Sequence, residues 1–192
     1  MDIIDRLKGL RRNLPIGIQS FERLRRDGYL YVDKTALIYK MATMGKPYFL
    51  SRPRRFGKSI LINTLQMYFE GRKELFEGLK IMQLEKEWKQ YLVIRLDMSL
   101  AGAEPKRVWS YLDNVFHNLE SEYNIAVRQD SSLAVRFQNI IEGAYNKTGN
   151  KVVILIDEYD SPLQHSWKTE HHKACTLSLI HISEPTRLAL IS

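Results

Sequence analysis

The run KVVILIDEYDSP, residues 151–162, constrains this chain more than any other stretch. Five successive β-branched or leucine residues, Val152 to Ile156, end in the acids Asp157 and Glu158. A strand with no polar face reads as a parallel strand covered on both sides. The segments before it fit such a sheet. YLVIRLDMS, residues 91–99, is a second strand candidate, bounded by AGAEP. Pro105 suits the first turn of a helix with Val108, Leu112, Val115 and Leu119 on one face. After DSS a further helix carries Leu133, Phe137, Ile140, Ile141 and Ala144 in register, and KTGN closes it.

Nearer the start, Tyr29, Tyr31 and Val32 form a strand-like run, and Asp33 is placed to cap a helix over residues 34–44 that Gly45 and Pro47 end. Tyr48-Phe49-Leu50 reads as a short buried strand entering an arginine-rich loop. Beyond Gly57, the spacing of Leu61, Leu65, Tyr68 and Phe69 predicts one helical face, with Gly71 as its stop. Strands alternating with helices imply an α/β layered domain.

The length of 192 residues, with 44% hydrophobic and 27% charged residues, suits one globular domain. No apolar run approaches the ~18 residues needed to span a bilayer, and MDIIDRLKGLRR lacks the uninterrupted apolar stretch of a signal peptide. A cytoplasmic protein without a membrane partner is expected. The single cysteine, Cys175, excludes an internal disulfide framework. A formal charge of +7 suits polyanions, whether nucleotide phosphates or nucleic acid.

Two motifs carry chemistry. Gly57-Lys58-Ser59, between an apolar triplet and an amphipathic helix, has the parts of a phosphate-binding loop. Gly57 lets the backbone approach phosphates, Lys58 reaches the terminal ones, and Ser59 offers a hydroxyl to magnesium. Asp157, where the apolar strand ends, is placed to hold that hydrated cation, and Glu158 to polarise water as general base. Arg52 stands where such loops usually open with glycine. It cannot freely adopt positive φ, so the chain enters this loop by another path, with Arg52, Arg54 and Arg55 available to neutralise phosphate. Asp97, at the end of the other strand, is a weaker candidate for the nucleotide crevice. His165, His171, His172 and Cys175 match no zinc spacing well and read as solvated. Trp88, Trp109 and Trp167 read as core or interface residues.

The segments LPIGIQSFERLRRDGYLYVDKT, YFLSRPRRFGKSIL, YFEGRKELFEGL, VIRLDMS and VVILIDEYDSPL together resemble the bacterial AAA-ATPase-like family, from about Leu14 to about Cys175. In that family RPRRFGKS stands as the Walker A element, and the domain is usually followed by a nuclease domain of the PD-(D/E)XK type. The resemblance implies an α/β fold, a P-loop NTPase-like three-layer sandwich with a parallel sheet, incomplete here at the C-terminus. It implies ATP and Mg2+ as ligands. Arg54, Arg55, Phe56, Gly57, Lys58 and Ser59 would bind the nucleotide, Ser59 and Asp157 the metal, and Glu158 would be the catalytic base. Nucleic acid would be a partner only through a domain absent from this chain, and self-association stays open.

The last sixteen residues, LSLIHISEPTRLALIS at 177–192, depart from the family, which continues with another helix. Their back-translation resembles a transposase-based sequencing adapter. The expected organisation is a P-loop domain over residues 1–176 and a non-native read-through over 177–192. The strands and sensor residues that follow the Walker B position in such ATPases would then be missing, and ATP hydrolysis by this chain is expected to be poor or nil. Two other readings stay open: a nucleotide-gated binding module without hydrolysis, and a plain nucleic-acid-binding domain using the basic loop.

Overall fold

The computed structural model describes residues 13–45, 48–50, 56–102, 104–126, 132–166 and 176. The chain divides into two compact units.

The first unit holds the described residues up to Met44 and from Leu50 to Lys89. It is helical: α1 spans Phe21–Arg26, α2 Thr35–Thr43, α3 Lys58–Phe69 and α4 Ile81–Leu84, with a 3-10 turn at Lys73–Phe76. Its core is aromatic. The fully buried Phe21 ring lies 5.1 Å from Tyr31 and 4.9 Å from Phe76, and Trp88 lies 5.3 Å from Phe76 and 5.8 Å from Tyr68. Such pairs add roughly 0.5–1.5 kcal/mol each beyond their buried area. Trp88 is half-buried and packs its ring against this aromatic core.

Polar staples close this unit. Ser20 caps α1 by accepting the Arg23 N–H, and the Asn63 side chain, on α3, accepts the Phe21 N–H at 2.5 Å. Arg25 donates to the carbonyls of Leu75 and Glu77. Asp33 Oδ1 takes the Thr35 N–H and hydroxyl at the start of α2, as its position implied, and Oδ2 takes the Lys80 N–H at 2.7 Å. Burial pushes the Asp33 carboxyl up, but the hydrogen bonds from Thr35 and Lys80 outweigh that and hold it below its usual value.

The second unit holds Gly45, Tyr48, Phe49 and the described residues from Gln90 onward. Strands β1, Leu92–Asp97, and β2, Val152–Asp157, pair in parallel, with Arg95 opposite Leu155 and Asp97 opposite Asp157. Between them run α5, Pro105–Tyr123, with Pro105 in its first turn, and α6, Leu133–Thr148, capped by Ser132. A short α7 follows at Ser161–Ser166. One face of the strand pair, Ile94, Leu96 and Val152, packs with Val108, Leu112 and Phe116 of α5 and Phe137, Ile140 and Ala144 of α6. Strand alternation puts Val93, Arg95, Asp97, Val153, Leu155 and Asp157 on the other face. The described residues of this unit thus combine helices with a small parallel two-stranded sheet, consistent with an α/β class.

Two expected strands do not form. Tyr29 to Val32 is irregular, and so is Tyr48 to Leu50, where Phe49 is 81% exposed. A strand exists through its ladder, and among the described residues the sheet consists of β1 and β2 alone. Among the described residues, no helix is long and apolar enough to cross a membrane.

Candidate nucleotide site

At the start of α3, Gly57 has φ 76° and ψ 28°, in the left-handed region that favours glycine. A Cβ there would also come within 3.3 Å of Ile60 Cγ2. This turn aims the chain into a helix of 12 residues whose start has no side-chain cap and no acid in its first turn. The positive end of the helix dipole is left to the backbone of the first turn, an arrangement suited to anions. Phe56 and Gly57 are exposed, while Lys58 and Ser59 are half-buried. Further along, Thr64, Leu65, Met67 and Tyr68 bury the other end of α3. Arg52, Arg54 and Arg55 lie outside the described residues.

In the second unit, Asp157 closes β2 and is 3% exposed. Its Oδ1 accepts the Glu158 N–H at 3.0 Å, and Arg95 Nη2 lies 3.6 Å from its Oδ2. Glu158 itself has φ 49°, a left-handed conformation that costs a non-glycine residue on the order of 1 kcal/mol. The strand therefore turns sharply after the acid, and the Glu158 carbonyl accepts the Ser161 N–H at 2.8 Å to start α7.

Asp97 is differently engaged. Its Oδ1 accepts the Ser99 N–H and hydroxyl at 3.0 and 2.6 Å, capping the 3-10 turn Met98–Ala101, and its own N–H donates to the Tyr111 hydroxyl. Burial pushes the Tyr111 hydroxyl above its ordinary pKa. A structural cap accounts for this carboxylate better than a place in a crevice.

Phe56, Gly57, Lys58 and Ser59 are thus together at one helix start in the first unit, and Asp157 and Glu158 at one strand end in the second. At the helix start the backbone N–H groups, an ammonium and a hydroxyl are donor types that suit phosphate; at the strand end a buried carboxylate is a type that suits a divalent cation. Among the described residues no three His, Cys, Asp or Glu side chains gather as a metal group. His171, His172, Cys175, Trp167 and the His165 side chain lie outside the described residues.

Sequence reasoning missed Arg95. Its signal was a charge inside the apolar strand LVIRLD, two residues before Asp97 and so on the same face. Glu120 was missed too. It follows Val108, Leu112 and Phe116 on the buried stripe of α5, where a charge must find a partner, and Arg136 of α6 donates to both its oxygens at 2.9 and 2.8 Å. Arg136 also pairs with Asp113.

The family model described as "Predicted AAA-ATPase" matches residues 15–181. An uncharacterized protein in the vnfD 5′ region of Azotobacter chroococcum mcd 1 is 38% identical over 157 residues, covering 80% of this chain and 30% of the relative. This chain therefore spans less than a third of that relative's length. No solved structure matches it. With most of its length matched by the family model, the chain belongs to the Predicted AAA-ATPase family.

Proposed function

We propose that this chain is an ATP-binding P-loop domain, the nucleotide-binding part of a larger ATP-driven protein. The observation that carries the proposal is the left-handed Gly57 opening an uncapped helix at the Gly-Lys-Ser motif, in a chain of this family. In this reading the parallel pair is the centre of a P-loop NTPase-like sandwich. The backbone at Arg54 to Gly57 receives the phosphates, and Lys58 places its ammonium on the β and γ groups. Ser59 and, in the second unit, Asp157 would each offer an oxygen to hydrated magnesium. Bound magnesium supplies charge neutralisation on those phosphates. Glu158, held in its turn beside Asp157, orients and polarises a water. The full-length protein would couple this cycle to a nuclease domain acting on nucleic acid.

The test is equilibrium binding of a mant-labelled ATP to the purified chain. Saturable, magnesium-dependent binding is expected, and Lys58→Ala should weaken it by roughly a hundredfold, the scale of one lost charge-assisted phosphate contact. Equal binding by wild type and Lys58→Ala would refute the site. Sequencing the source DNA across codon 176 with another library chemistry tests the boundary: a frame continuing past Thr176 supports read-through, and recovery of the same final codons refutes it.

A further inference from the structure

The face of the β1–β2 pair opposite the helical core carries Arg95 and Asp157 close to the C-terminal ends of the strands. A carboxylate as buried as Asp157 needs compensation, and two groups provide it: the Glu158 N–H and the Arg95 guanidinium. The guanidinium contact is long. At 3.6 Å it lies outside the ~2.7–2.9 Å of a charge-assisted hydrogen bond. Arg95 is also part-exposed, with 30% of its side chain accessible against 4% for Asp157. The contact therefore supplies charge to Asp157 without a short bidentate grip on its oxygens.

From this geometry we infer that Arg95 is the resident counter-ion of Asp157, a positioning residue that competes with a divalent cation for the carboxylate and so sets how much magnesium the site demands. The inference rests on the reading that Asp157 serves the magnesium of a bound nucleotide. Two cations drawn to one carboxylate repel each other. Removing the arginine's charge should therefore make the cation bind more tightly, whereas a purely structural arginine would leave binding unchanged or weaken it.

The experiment titrates Mg2+ into the whole chain at fixed mant-ATP, reads nucleotide fluorescence, and follows a thermal melt of each variant. Arg95→Gln is expected to half-saturate at about fivefold less Mg2+ than wild type, the size of a partly screened ion pair. Arg95→Lys, which keeps the charge, should stay within about twofold of wild type. Arg95→Met gives the same reading as Arg95→Gln should the latter fail to melt cooperatively. An unchanged or higher Mg2+ demand in the folded charge-removing variant overturns this inference alone. No mant-ATP binding by wild type at any Mg2+ concentration overturns the nucleotide reading and this inference with it.

Discussion

Two arginine–carboxylate pairs in the second unit make opposite use of the same chemistry. Glu120 and Asp157 are almost equally buried, and each faces an arginine from a neighbouring element. Arg136 grips both oxygens of Glu120 with two short bonds, lies 6.0 Å from the centre of the Phe116 ring, and has 13% of its side chain exposed. Arg95 stands off from Asp157 at 3.6 Å. The first pair is a closed clamp between α5 and α6. The second brings charge to a carboxylate without a short bond to it. Burial of the acid does not distinguish these two pairs; the geometry of its partner does.

The comparison can be broken by mutation. The largest effect is expected from Arg136→Leu, which leaves Glu120 buried without its partner and should lower stability by about 3 kcal/mol in chemical denaturation. Adding Glu120→Leu should recover most of that loss, because two packed apolar groups can replace a buried pair; no recovery would mean that Arg136 acts through something other than Glu120. Glu120→Gln, which keeps the shape and loses the charge, should cost about 2 kcal/mol. Arg95→Gln should cost about 1 kcal/mol or less, and a loss matching that of Arg136→Leu would erase the distinction between the clamp and the longer pair. The smallest change, about 0.5 kcal/mol, is expected for Asp113→Ala, whose carboxylate is 60% exposed at the rim of the clamp.

The elements of this second unit were legible because several signals agreed at each. Apolar runs marked both strands, Pro105 marked the start of α5, and periodicity chose the buried faces of α5 and α6. Tyr48-Phe49-Leu50 carried apolarity alone, and three apolar residues cannot specify a strand whose existence depends on a partner. The ion pairs were illegible as pairs, since Arg95 and Asp157, like Glu120 and Arg136, meet only once the strands and helices have assembled. Their single members were visible as charges on apolar stretches, a signal that a partner exists but not which one. At the candidate site, Gly57, Lys58 and Ser59 were legible as a contiguous motif, while the counter-ion of Asp157 required the register of β1 against β2.

The burial of α3 has a mechanical consequence. The helix that begins at Gly57 ends among Tyr68, Phe76 and Trp88, and along its length Asn63 holds the first N–H of α1. From Lys58 to Tyr68 is about 15 Å of continuous helix. Whatever pulls on the first turn therefore pulls on a rod whose far end is seated in aromatic rings, one of them an indole that fluoresces. In the proposed nucleotide-binding reading, ligand occupancy and the melting of this unit would be linked quantities.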